Sequence, residues 1–100
     1  MDSVLKLLGL VYRAKKLVLG EEVLESIKDV KLMFIASDAS DKSVERYLKK
    51  CHYYNIEYIN KYSSNELSNA IGKNNIKLIG IIDEGFKQSL LKKIKEEENG

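Results

Sequence analysis

A chain of 100 residues with 44% hydrophobic and 32% charged residues has the size and composition of one globular domain. The formal net charge of +2 is only mildly basic, so it permits a nucleic-acid partner without requiring one. A single cysteine excludes an intramolecular disulfide, and no apolar run has the length of a membrane span or the form of a secretory signal. We therefore expect a cytoplasmic protein with no membrane partner.

The first half of the chain predicts two helices and two strands. Apolar residues at helical spacing indicate a first helix that Ser3 caps and that ends near Lys15. The short apolar run 17–19 predicts an edge strand, and Gly20 begins a second helix. The run from Leu32 to Ala36 follows, and its length and composition are typical of a strand buried on both faces. We expect this strand to be central to the fold.

The second half continues the alternation of helices and strands. The predicted elements are a helix from Asp41 to Asn55, a strand at 56–60, a helix begun by the capping box of Ser63 and Glu66 and ended by Gly72, a buried strand at 76–83, and a last helix capped by Asp83 with a frayed tail at 95–100. This order predicts one domain over residues 1–100, in which helices cover both faces of a sheet.

Most enzyme signatures are missing from the chain. Glycine-rich phosphate-binding motifs are absent, and His52, the only histidine, cannot build a multi-histidine metal site. The best carboxylate pair is Asp38 and Asp83, each of which follows a buried strand and precedes a helix. The two either cap helices or, if their strands are adjacent and run in the same direction, share a metal or general-base site. We predict no catalysis, no cofactor and no metal.

Two sets of charged residues admit a functional interpretation. Acidic residues in a first helical turn favour the positive end of the helix dipole, but they also accept hydrogen bonds from the amino group of a nucleic-acid base. Cationic residues in neighbouring loops are ordinary solvated side chains unless those loops meet on one surface. The acidic set is Glu21, Glu22 and Glu25, and the cationic set is Arg13, Lys15, Lys16 and Lys73.

The chain resembles the bacterial L7Ae/L30e-like ribosomal protein family over most of its length, from about Leu8 to Leu90. The resemblance rests on four stretches in order, GLVYRAKKLVLGEEVLESI, MFIASDASDKSVERYLKKCHYYNI, NELSNAIGK and IIDEGF. It implies a three-layer α/β/α sandwich with a four-stranded mixed sheet whose last strand runs antiparallel to its neighbours. It also implies binding of structured RNA, often a kink-turn, in a ribosomal or translational setting.

The resemblance also implies where RNA would bind. In that family the second helix opens with Gly-x-Asn-Glu, with Lys three residues later, and these groups contact the sheared G·A pairs of kinked RNA. Aligned by the apolar positions that follow, this start falls on Gly20, Glu21 and Glu22. Glu22 matches the glutamate, Glu21 replaces the asparagine and Glu25 replaces the lysine. The loop after the fourth helix is apolar in kink-turn binders, whereas this chain has polar residues at 73–75.

Two functions fit these observations. The first is a non-catalytic, monomeric protein that binds structured RNA, either ribosomal RNA or a kink-turn-like element, in association with the ribosome or translation. The second is a protein–protein adaptor that keeps the fold but has lost kink-turn binding and uses tyrosines as anchors. The predicted RNA contacts are Arg13, Lys15, Lys16, Gly20, Glu21, Glu22, Lys73 and Asn74, and the candidate anchors are Tyr53, Tyr54, Tyr58 and Tyr62.

Overall fold

A four-stranded mixed sheet lies between two layers of helices in the computed structural model, which describes residues 2–99. The helices are α1 (Ser3–Arg13), α2 (Glu21–Glu25), α3 (Asp41–Tyr54), α4 (Ser64–Ile71) and α5 (Glu84–Asn99), with a 3₁₀ turn at Ile27–Asp29, and the strands are β1 (Leu17–Leu19), β2 (Leu32–Ile35), β3 (Glu57–Ile59) and β4 (Leu78–Ile81). No helix within this range is long and apolar enough to cross a bilayer.

The strands lie in the order β1-β4-β2-β3. β2 and β3 are parallel, whereas β4 runs antiparallel to both of its neighbours, β1 and β2. This arrangement confirms the mixed sheet with an antiparallel last strand. It also makes β1 and β3 the two edge strands and places the most apolar strands, β2 and β4, at the centre.

The central strand β2 separates two hydrophobic cores. Because successive side chains of a strand point to opposite faces, Leu32 and Phe34 pack with residues of α1, α4 and α5, whereas Met33 and Ile35 pack with residues of α2 and α3. All four side chains are buried. The predicted three-layer α/β/α sandwich is therefore confirmed, with this strand between its two helical layers.

The antiparallel pairing of β2 with β4 rules out a site shared by Asp38 and Asp83. The two carboxylates follow neighbouring strands that run in opposite directions, so they lie at opposite ends of the sheet. Oδ2 of Asp83 accepts a hydrogen bond at 2.9 Å from the backbone N–H of Phe86 and caps α5, as predicted. Among residues 2–99, no cluster of three or more His, Cys, Asp or Glu side chains is placed to hold a metal ion.

The helix boundaries differ from the prediction at three places. Asp2, rather than Ser3, caps α1, since its Oδ1 accepts from the N–H of Leu5 at 2.8 Å. The Ser3 hydroxyl instead donates to Oε1 of Glu97 in α5 at 2.7 Å. The second helix is shorter than expected and gives way to the 3₁₀ turn after Glu25. α5 extends to Asn99, through the segment expected to fray, and residue 100 lies outside the described range.

The buried ring of Phe34 gives the first testable prediction. Its side chain is fully buried, and its ring centroid lies 6.3 Å from that of Tyr62. Phe34→Ala should lower the free energy of unfolding by about 3–5 kcal/mol, because it removes buried apolar area and leaves a cavity. That is a large part of the roughly 5–15 kcal/mol that stabilises a typical domain. Urea unfolding followed by circular dichroism measures the change.

Leu10→Ala is the matched control, because Leu10 is 53% exposed on α1. Its effect should stay within roughly 0.5 kcal/mol of the parent protein. A loss for Phe34→Ala no larger than that of the control would contradict the placement of the central strand.

Candidate nucleic-acid interface

The eight residues predicted to contact RNA are all exposed. They lie on three segments, namely the end of α1 with the turn after it, the turn from β1 with the first residues of α2, and the loop between α4 and β4. We call this set the β1-edge surface: Arg13, Lys15, Lys16, Gly20, Glu21, Glu22, Lys73 and Asn74.

The first segment is shaped by the way α1 ends. The N–H of Lys16 donates to the carbonyl of Val11 at 3.1 Å, and the N–H of Lys15 donates to that of Tyr12 at 3.0 Å. This pair of bonds is a Schellman motif, which requires a left-handed residue just past the helix, and here Lys15 takes that place with φ of 60°. A side chain at this φ is strained, since glycine is the residue that adopts it freely.

The third segment meets the first one. α1 crosses α4 so closely that a Cβ atom on Gly9 would lie 2.8 Å from the carbonyl oxygen of Ala70, so a glycine is needed at the crossing. The ends of the two helices are therefore neighbours. Nζ of Lys73 lies 5.7 Å from the ring centroid of Tyr12, within range of a cation–π contact. The structure thus brings the cation of the α4–β4 loop to the cationic end of α1.

Asn74 follows Lys73 in the same loop. The loop folds back along α4, and the N–H of Ile76 donates to Oγ of Ser68 at 2.8 Å. Asn74 borders a small polar cleft between the loop and α4, lined also by Asn65 and Asn69. Amide side chains there can donate and accept hydrogen bonds.

The second segment begins at Gly20. Its φ of 57° and ψ of −131° lie in a mirror-image extended region that glycine populates readily and other residues avoid. Its N–H donates to the carbonyl of Leu78 at 3.0 Å, which fastens the turn to the start of β4. Lys16 lies at the other end of β1, about 13 Å away at roughly 3.3 Å per strand residue. The β1-edge surface therefore has a cationic end and an acidic end.

An ion pair reduces the negative charge at the acidic end of the β1-edge surface. Oε1 of Glu21 lies 3.7 Å from Nη1 of Arg46 in α3, with side chains 76% and 55% exposed. Exposed pairs of this kind contribute little to stability, but the cation reduces the local negative charge. No cation lies within ion-pair distance of Glu22 or Glu25 among the described residues.

Lys77 lies at the same end of the sheet as Gly20, and it was not among the residues predicted from the sequence. It is exposed, and its carbonyl accepts from the N–H of Ala36 at 2.9 Å, so it lies where β2 ends and β4 begins. The sequence signal was the lysine directly before a buried strand. Because β2 and β4 are antiparallel neighbours, Lys77 lies beside the residues that follow β2.

Asp38 ties the end of β2 to the start of α4. Its Oδ1 accepts from the N–H of Ser64 at 2.8 Å, and its Oδ2 accepts from the hydroxyl of the same serine at 2.9 Å. The hydrogen bond from the backbone N–H, reinforced by that from the hydroxyl, lowers the pKa of Asp38 below its ordinary value. The expected capping role is confirmed, but the carboxylate serves α4, while Ser40 caps α3.

Comparison of the sequence with known proteins points to one family. A family model described as "Ribosomal protein L7Ae/L30e/S12e/Gadd45 family" matches residues 2–91. The RNA-binding protein YlxQ of Enterococcus faecium is 37% identical over 90 residues, covering 85% of this chain and 84% of the relative. The RNA-binding protein YlxQ of Bacillus subtilis (strain 168) is 35% identical over 88 residues, covering 85% and 88%.

Two solved structures are similar in fold. A protein with unknown function from Bacillus halodurans C superposes with a TM-score of 0.89 and 34% identity, over 95% of this chain and 99% of that one. The Giardia lamblia 15.5kD RNA binding protein superposes with a TM-score of 0.74, over 95% of this chain and 84% of that one. Its identity is only 18%, so the second similarity concerns the fold alone.

The carboxylate of Asp38 predicts a pH-dependent stability. Because its pKa is lowered in the folded state, its contribution is fully present above the ordinary value of 3.8 and is lost as the pH falls through the lowered pKa. Asp38→Ala should therefore melt at a lower temperature than the parent protein at neutral pH, and the gap should narrow as the pH falls below 3.8. Thermal melts across that range measure it.

Ser64→Ala is the control, since it removes the hydroxyl donor and leaves the backbone N–H that is the larger cause of the shift. It should lower the melting temperature at neutral pH by less than Asp38→Ala does, and its difference from the parent protein should narrow over the same pH range. A gap between Asp38→Ala and the parent protein that is independent of pH would contradict this role.

Proposed function

The chain belongs to the ribosomal protein L7Ae/L30e/S12e/Gadd45 family, and on that premise we propose that it binds structured RNA through the β1-edge surface. The RNA is a kink-turn or a ribosomal RNA element of similar shape, and the protein acts as a cytoplasmic monomer associated with the ribosome or translation, without catalysis. Two relatives that match most of the chain are named RNA-binding proteins, which supports this class of ligand. The main structural support for this surface is the Lys73–Tyr12 contact, because it joins the loop between α4 and β4 to the end of α1.

The cationic end of the surface suits phosphate. Four exposed cations form it, supplied by the end of α1 and by the loop between α4 and β4: Arg13, Lys15, Lys16 and Lys73. Such side chains neutralise phosphates and set the orientation of the RNA without identifying its sequence. Counterion release then makes the affinity depend steeply on salt concentration.

The acidic end suits base edges. The Glu22 carboxylate is exposed and follows a glycine turn that is fastened to β4, so it stands on a fixed backbone. Carboxylates accept hydrogen bonds from amino groups of bases, and a sheared G·A pair exposes such groups. Arg46 moderates the repulsion between Glu21 and phosphate. Glu25 takes the place of the lysine in the kink-turn pattern, and among residues 2–99 no cation lies within ion-pair distance of it.

The chemistry of Cys51 and His52 supports a function without catalysis. Burial raises the pKa of the Cys51 thiol to about 11, so the thiol stays protonated at neutral pH and is a poor nucleophile. Its Sγ lies 3.4 Å from Sδ of Met33 inside the core, whereas His52 is exposed on α3. The two adjacent residues therefore form no nucleophile–base pair.

The adaptor remains the second candidate, although its four tyrosines do not form one surface. Tyr62 is buried and Tyr54 is half-buried, while Tyr53 and Tyr58 are 79% and 48% exposed. A groove of about 680 Å³ borders Tyr53 and is lined in part by Val44 and Leu48. This groove is the feature that favours protein docking if RNA binding fails the test below.

The double variant Lys16→Glu/Lys73→Glu tests the proposal. Contact with three or four phosphates should give a slope of log affinity against log salt of about −2 to −4, and the variant should weaken binding and make that slope shallower by about two. Fluorescence anisotropy with a kink-turn RNA and an unkinked duplex, each at two or more salt concentrations, measures both quantities. The parent protein should prefer the kink-turn.

Lys92→Glu/Lys95→Glu is the matched control, because both lysines are exposed on α5, outside the β1-edge surface. If the two double variants bind RNA equally well and with the same salt slope, the β1-edge surface is not the RNA site. Lys15→Gly adds an independent check, since glycine relieves the positive φ and removes one cation. It should raise the melting temperature while lowering RNA affinity.

A further inference from the structure

We propose that bound RNA extends beyond the β1-edge surface onto the outer face of α3, where Tyr53 stacks on an unpaired base of a single-stranded flank. This inference rests on the proposed function and adds a second site to it. The α3 face is defined by four side chains spaced at i, i+4, i+8 and i+11 along the helix, which places them on one stripe. They are Lys42, Arg46, Lys50 and Tyr53.

Tyr53 is an exposed aromatic ring held in a defined position. It is 79% exposed, the highest value among the large hydrophobic side chains that reach the surface within residues 2–99. The half-buried ring of Tyr54 contacts it edge to face, with centroids 4.8 Å apart and planes at 73°. Tyr54 packs against the core between α3 and the sheet, so it anchors the pair. An exposed ring with a fixed neighbour is the platform on which single-stranded bases stack.

The surroundings of Tyr53 are cationic. A shallow concavity of about 740 Å³ is lined by the two tyrosines together with lysines and Arg46. Glu45 also lines it but is paired with Lys49 at 3.4 Å, which leaves Lys42 and Lys50 without a carboxylate in ion-pair distance among the described residues. An aromatic platform beside uncompensated lysines has the two elements that a single strand needs, stacking for the base and charge for the phosphate.

The α3 face adjoins the β1-edge surface through Arg46. Its guanidinium lies 3.7 Å from the carboxylate of Glu21, so the two surfaces meet at this pair. Arg46 and Tyr53 are separated along the helix by about 10 Å at 1.5 Å per residue. A strand that leaves the structured element near Glu21 covers that distance in a few nucleotides, at roughly 3.4 Å or more for each one.

The same residues argue for RNA rather than for a protein partner. The core of a protein–protein interface is depleted of lysine, whereas nucleic-acid interfaces are rich in positive charge. Lysine dominates the α3 face, and Tyr53 is its one strongly exposed ring. Complementarity to a polyanion with aromatic bases is therefore better than complementarity to an apolar protein patch.

The experiment compares one kink-turn RNA in blunt form with the same RNA carrying a short single-stranded flank, at either end. Stacking of one base should make the parent protein bind one of the flanked forms roughly five- to 150-fold more tightly than the blunt form. Tyr53→Ala should remove this gain while leaving affinity for the blunt RNA unchanged. Tyr53→Phe should keep the gain, because the ring remains.

Two further variants complete the design. Tyr58→Ala removes an exposed tyrosine from β3 and should leave the gain intact. Lys42→Glu/Lys50→Glu should reduce the gain and the salt dependence of the flanked RNA alone. Equal affinity of the parent protein for the blunt and flanked RNAs would overturn the inference and leave the proposed function standing. Failure to bind either RNA would overturn both. Loss of binding to poly-L-glutamate in Tyr53→Ala, with binding to the flanked RNA unchanged, would overturn the inference and assign the α3 face to an acidic protein partner instead.

Discussion

The antiparallel pairing of β2 with β4 is the constraint on which the rest of this structure depends. Both strands are buried on both faces, so their register cannot shift by one residue without moving a whole set of apolar side chains to the wrong layer. Their opposite directions place Lys77 beside the end of β2 and send Asp83 to the far end of the sheet. The carbonyl of Leu78 then receives the N–H of Gly20 and fixes the turn into α2. The packing of β2 and β4 in the core thus determines which polar groups lie together at one end of the sheet.

The surface we assign to RNA is built by backbone geometry as much as by side chains. Gly9 allows α1 to approach α4, and as a result Lys73 reaches Tyr12. The left-handed conformation of Lys15 turns the chain from α1 into β1 within one residue, at a cost that glycine would avoid. Strain held at an exposed cation is consistent with a functional role, because nothing in the packing of the core requires lysine there.

Much of the fold could be predicted from the sequence because it depends on local patterns. The apolar runs of β2 and β4 and the capping box at Ser63 were each recognisable within a few residues. The failures involve contacts that are distant in sequence. Asp2 and Ser3 are both good caps. Asp2 caps α1, and the Ser3 hydroxyl donates instead to Glu97, which is distant in sequence. In the same way, the ion pair of Arg46 with Glu21 joins α3 to α2 across 25 positions of sequence, and no local pattern indicates it.

The central claim is that the β1-edge surface contacts RNA, and mapping backbone amide shifts by NMR tests it most directly. ¹⁵N-labelled protein titrated with a kink-turn RNA should show its largest shifts at residues 13–16, 20–22 and 73–74. The exposed face of α5 should remain unchanged, and an unkinked duplex should give smaller shifts at the same positions. Shifts confined to α5, or to the α3 face with none along β1, would contradict the account and locate the ligand elsewhere.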